Sequence, residues 1–147
     1  MKYSAKAKIQ IQKPIEIVFE AIVNPEHMKH YFIAESSGRL EAHQVIEWSF
    51  PEFPDRSPIQ CKDIKINESI SFDWSGGQEH QLVHISLTSF EGDTIVKVEE
   101  GEMDDTEKGI NTLIQQTEGW ANFLACLKAY LDYGINLRKC VFDFMKN

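Results

Sequence analysis

Histidines, carboxylates and tryptophans are the residues of this chain that can do chemistry, and their spacing narrows what that chemistry is. His84 sits in the alternation Leu82, Val83, His84, Ile85, Ser86, Leu87 and is the catalytic candidate, a general base near neutral pH if it faces an interior cavity. A hydrogen-bonded core or surface histidine is the simpler reading of it. His80 and His84 share one face of that strand roughly 13 Å apart, too far to chelate one metal. His27 and His30 stand closer on a short helix but bring no third ligand, so no metal is expected. The chain has no GxSxG, no HExxH, no phosphate-cradling glycine loop and no dinucleotide fingerprint, and no cofactor is expected either. Glu99, Glu100, Glu102, Asp104, Asp105 and Glu107 form an acidic run before a helix start, where negative charge complements the helix dipole, and read as a solvated structural cluster. The aromatic set Trp48, Phe50, Phe53, Phe72, Trp74 and Trp120 is more informative, because rings from several elements converge on one helix.

That helix is Thr106 to Asp132, the longest stretch without proline and the one with sustained helical periodicity. At ~100° per residue Leu113, Thr117, Trp120, Leu124, Leu127 and Leu131 fall on one arc, flanked by Phe123 and Tyr130, which suits a helix pressed into a concave surface. Thr112, Gln116 and Thr117 interrupt the N-terminal half of the stripe. A buried amide or hydroxyl without a partner costs about 1 to 3 kcal/mol, so this half either borders water or a ligand, or bonds to neighbouring backbone. Gly119, just before Trp120, is expected to admit a close strand or turn, and Gly109 to separate a first short turn from the main helix.

The concave surface must come from the rest of the chain. Tyr3, Ala5, Ala7, Ile9 and Ile11 alternate with polar residues and predict a strand; Pro14 and Pro25 each open a short helix after it. From Glu35 to Asp105 turn signals recur at short intervals. They predict an antiparallel meander: a hairpin of Ser36–Leu40 with Val45–Phe50, then Ile59–Ile66, Ile70–Trp74, Leu82–Leu87, and Thr94–Glu99 after an Glu91-Gly92-Asp93 turn. The class is α+β, a curled antiparallel sheet of about six or seven strands wrapped on a long C-terminal helix. With 147 residues the chain reads as a single domain, 1–147. The tail after Gly134 holds Leu137, Val141, Phe142, Phe144 and Met145, too apolar to be free; it is expected to dock on its own domain, with a homodimer partner as the alternative.

A net charge of −8, from 23 acidic and 15 basic residues, argues against nucleic acid and anionic membrane as partners. No run approaches the ~20 apolar residues of a membrane span. The start shows no signal-peptide core, so a cytoplasmic location is expected. Cys61, Cys126 and Cys140 are odd in number and widely spaced, and are expected to be thiols.

The order of elements, with Ile11–Ile22 and Asn24-Pro25-Glu26, Lys29–Phe32, Ile70–Trp74, Phe90–Thr94 and Gly119-Trp120 followed by Leu124, Leu127, Lys128 and Leu131, resembles the START-like (SRPBCC) helix-grip superfamily. The resemblance is to the branch of the activator of the ninety-kilodalton heat-shock chaperone's ATPase, and covers nearly the whole chain. Tyr31 stands where that family usually has tryptophan. The resemblance implies a cavity between sheet and helix holding a small hydrophobic molecule, with Trp48, Phe72, Trp74, Gln116, Trp120 and Phe123 as lining candidates. It leaves two alternatives: a cyclase- or hydrolase-like enzyme using His84 or a cavity acid, and a co-chaperone-like interaction protein.

Overall fold

The computed structural model describes residues 1–76 and 81–146; Gly77 and His80, read above as part of a turn and a strand, lie outside the described residues. The period-two segment forms β1 (Lys2–Ile11), with Ala5 and Ile11 buried. Pro14, at φ −68°, caps α1 (Ile15–Val23), and Pro25 occupies the first turn of α2 (Pro25–Met28), where the Asn24 side chain accepts from Glu26 N at 2.9 Å.

The meander follows as β2 (Glu35–Ser36), β3 (Val45–Ser49), β4 (Arg56–Lys65), β5 (Ser69–Asp73), β6 (Leu82–Phe90) and β7 (Asp93–Asp104). With β1 these make one seven-stranded antiparallel sheet, ordered β1-β7-β6-β5-β4-β3-β2 and not closed into a barrel. Four strands differ from the sequence expectation: β4 begins three residues early, taking in Pro58, β6 runs on to Phe90, and β2 and β7 depart further. β2 stops at Ser36 because the chain peels away to α1: Leu40 N donates to Val23 O at 3.1 Å and Arg39 binds both oxygens of Glu20 at 2.8 Å. β7 runs five residues past Glu99, to Asp104, and carries part of the acidic run into the sheet.

α3 (Glu107–Tyr133) is one unbroken helix. Thr106 caps its start by accepting from Gly109 N, and Gly134, in the left-handed region at φ 66°, ends it. Both ends are tied to the sheet. At the C-terminal end both Asp132 oxygens accept from Gln12 N at 3.1 Å, and Lys128 Nζ donates to Gln10 O at 2.8 Å and to Asp132 at 2.6 Å. At the N-terminal end Gly109 lies against the Asp104 backbone so closely that a Cβ would collide with its carbonyl, so this glycine makes a close approach rather than a break. α3 thus packs on β1 and β7, and the other half of the sheet is covered largely by aromatic side chains, with Phe32 edge-on to Trp48 and Phe50, both at 5.4 Å. No helix among the described residues is long and apolar enough to cross a membrane.

Candidate functional site

Strand alternation builds the site from β7. Thr94, Val96, Val98 and Glu100 all point inward and are all fully buried, so the fourth inward position of an apolar series is a carboxylate. Gln116 and Trp120, one turn apart on α3, face it, and Trp74, just past the end of β5, closes the third side. Oε1 of Glu100 accepts from Trp120 Nε1 at 2.7 Å and from Gln116 Nε2 at 2.9 Å; Oε2 accepts from Trp74 Nε1 and Gln116 Nε2, each at 3.1 Å. Among the described residues every partner donates and none accepts, which is the bonding pattern of an ionised carboxylate. Among the described residues no lysine or arginine joins this network. Hydrogen bonds to a charged acceptor, about 1.5 to 3 kcal/mol each, offset a burial that would otherwise cost several kcal/mol. Glu100 is therefore not part of a solvated cluster, as its neighbours in sequence suggest; pairing of β7 with β1 and β6 draws it under the helix.

Above this carboxylate a cavity of about 140 Å³ opens, walled by Phe32, Trp74, Gln116, Trp120, Phe123 and Phe142. Because Gln116 turns its amide nitrogen to Glu100, its carbonyl oxygen is directed away from the carboxylate, and the side chain lines the cavity as a fixed polar point. Outward, the cavity continues into a cleft of about 620 Å³ between α3, the 50–53 loop and the tail, sharing Trp74, Gln116, Gly119, Asn122, Arg138 and Phe142 with it. The tail is held there by an ion pair. Arg138 donates to both oxygens of Glu52 at 2.8 and 2.6 Å, Glu52 is buried, and the guanidinium lies 4.8 Å over the Phe142 ring. The Arg138 bond holds the Glu52 carboxyl below its usual range. Gly119 faces the open space: a Cβ there meets nothing within 4 Å, so this glycine widens the opening instead of admitting a neighbouring strand.

The structure distributes the sequence candidates over three places. Trp74, Gln116, Trp120 and Phe123 stand together in the cavity wall. Trp48 and Phe72 lie one layer deeper, edge to face at 5.3 Å, in a gap shared with Phe32, Trp120 and Phe123 that has no room for a water molecule. His84 is on the opposite face of the sheet, exposed, with Nδ1 2.6 Å from Ser71 Oγ, because the same alternation that points Val83 and Ile85 inward turns it out. Facing solvent, it has no access to the cavity. Thr112 and Thr117 spend their hydroxyls on the helix itself, donating to Lys108 O at 3.0 Å and Leu113 O at 2.6 Å. Tyr31, fully buried, donates to Ala21 O at 2.7 Å, and burial raises its phenol well above the usual range. Among the described residues no group of His, Cys, Asp and Glu is arranged to hold a metal ion. Glu100 and Arg138 are the residues that sequence reasoning missed. Continuing the Val96, Val98 alternation by two residues finds the first; a lone arginine in an apolar tail signals the second.

An antiparallel sheet gripping a long C-terminal helix, with a cavity held between them, defines the START-like, helix-grip class. Within it the chain belongs to the family described as Activator of Hsp90 ATPase homolog 1-like protein, whose model matches residues 12–132. Among solved structures, protein SSP2350 from Staphylococcus saprophyticus is 31% identical and superposes with a TM-score of 0.80 over 90% of this chain and 94% of that one. Aha1 from Colwellia psychrerythraea, a dimer in its solution structure, is 18% identical with a TM-score of 0.77 over 90% and 98% of the two chains. DynU16, a putative protein in the dynemicin biosynthetic locus, is 20% identical with a TM-score of 0.79 over 89% of this chain and 48% of its own. The last two likenesses show the fold alone. No curated protein matches the sequence.

Proposed function

We propose that the protein binds a small, largely apolar molecule in the cavity between sheet and α3, entered through the cleft beneath the tail. The observation that carries this reading is the aromatic cavity itself, kept open at Gly119 and given one fixed polar point, Gln116, by a buried carboxylate. A side chain used only for packing has no need of a caged charge beneath it. Such a pocket, apolar with few oriented polar groups, is the usual form of a small-molecule site.

The test uses the uncharged fluorophore N-phenylnaphthylamine, whose emission rises in apolar surroundings. Saturable binding to the native protein that is lost in Gly119→Phe, with the far-ultraviolet circular dichroism unchanged, supports the reading. No saturable binding, or binding indifferent to that substitution, overturns it.

A homodimer is a second reading, favoured by the exposure of Ile135, Leu137, Val141, Phe144 and Met145 along the tail and by the dimeric Colwellia relative. Light scattering across a concentration series tests it. A mass that stays at one chain, 16.9 kDa, throughout would end it.

A further inference from the structure

We propose that the occupant of this cavity carries a positive charge: an organic ammonium, primary to quaternary, on a small apolar body. The proposal rests on the cavity reading above and adds to it a sign of charge, which the electrostatics of the wall supply.

Two observations point the same way. The first is the balance of charge around the space. Glu100 lies directly behind Trp74, Gln116 and Trp120 with no cation paired to it among the described residues. The one cation in the wall among the described residues, Arg138, is already matched by two hydrogen bonds to Glu52, and Glu118 adds a further negative charge at the cleft. Among the described residues the space is therefore lined by one guanidinium and two carboxylates, with Glu100 a third behind the wall, in a chain whose net charge is −8. Little solvent separates the caged carboxylate from the cavity, so its field is poorly screened there.

The second is the chemistry of the wall. Trp74 and Trp120 stand 5.2 Å apart at 32°, Phe123 is edge-on to Trp120 at 5.2 Å, and Phe32 is edge-on to Phe123 at 4.7 Å. Aromatic rings attract cations, and tryptophan does so most strongly. Here both indoles donate their N–H to a carboxylate, which polarises each ring toward greater electron density and strengthens that attraction. The Gln116 carbonyl, turned away from Glu100 by the same network, adds an acceptor for an N–H or hydroxyl of the ligand. An anionic ligand would meet the wrong field, and a neutral one would gain nothing from it. The site already holds one contact of this kind, Arg138 over Phe142.

The experiment compares choline with its uncharged isostere, the alcohol in which a tert-butyl group replaces trimethylammonium, by following the indole N–H resonances of Trp74 and Trp120 during titration of the native protein. The two probes share size and shape and differ in charge. The expected result is a dissociation constant about tenfold lower for choline, and a ratio between the two probes that falls to roughly twofold or less in Glu100→Gln. Equal affinities in the native protein overturn the proposal without any variant being needed, as does a preference for choline that survives in a folded Glu100→Gln. If neither probe shifts the indoles while N-phenylnaphthylamine still binds, this proposal falls and the apolar-ligand reading stands; if none of the three binds, both fall.

Discussion

The indole N–H of Trp120 donates to Oε1 of Glu100 at 2.7 Å, and the two side chains are 2% and 0% exposed. A strand residue and a helix residue twenty positions apart are thereby locked across the sheet–helix interface, at the point where the cavity begins. Removing the carboxylate strands three buried or half-buried donors at once. Glu100→Ala is expected to destabilise the fold by about 3 kcal/mol, measured by urea unfolding, with Glu100→Gln costing less because its carbonyl still accepts.

The two glycines of α3 separate packing from space. Gly109→Ala drives a methyl into the Asp104 carbonyl and is expected to destabilise by roughly 1 to 3 kcal/mol. Gly119→Ala meets nothing and should stabilise by about 0.5 to 1 kcal/mol through helix propensity alone. Thermal unfolding midpoints that move in the same direction for both would contradict this assignment.

Arg138 and Glu52 hold the tail against the body of the domain. Arg138→Ala leaves a buried carboxylate unpaired, and amide exchange in residues 135–146 should speed up by about a hundredfold or more, on the order of the 3 to 5 kcal/mol that breaking a buried pair costs. Unchanged exchange there would show that apolar contacts alone hold the tail.

Acid sensitivity follows from two arginine-bound carboxylates. The Arg39 bond holds Glu20 down to about 2, and the Arg138 bond lowers Glu52. Both carboxyls are thereby held below their ordinary range, that of an unfolded glutamate being about 4.3. Their stabilisation is fully present above that value and is lost as pH falls through the folded values. Stability should therefore decline between about pH 5 and pH 2. In the double variant Arg39→Gln, Arg138→Gln the decline should be shallower.

Thiol reactivity checks the burial pattern independently. Cys140 is exposed, whereas Cys61 and Cys126 are buried and burial raises both thiols. One equivalent of thiol should react quickly with an aromatic disulfide reagent in the native protein, and the other two on unfolding.

Periodicity carried most of the fold. The apolar arc of α3, the alternation of β1 and the proline-opened helices are local patterns, and each reappears within a residue or two of its expected bounds. Glu100 was hidden because its sequence neighbours are acidic and solvated, and only strand pairing with β1 and β6 decides that it faces inward. Gly109 and Gly119 look alike in sequence; what distinguishes them is whether a neighbour stands at the missing Cβ, a property of tertiary contact. His84 shows the converse: its apolar neighbours suggest burial, yet alternation places it on the outer face. The cavity wall was legible where its residues share the α3 stripe, as Gln116, Trp120 and Phe123 do, and not where the tail supplies Arg138 and Phe142.

The most direct measurement is native mass spectrometry of the protein purified from the cells that make it, beside Gly119→Phe prepared identically. A reproducible non-covalent small-molecule adduct on the first, absent from the folded variant, is the expected result and delivers the ligand for identification. A bare chain in both, or an adduct that persists when the cavity is filled, would contradict the account.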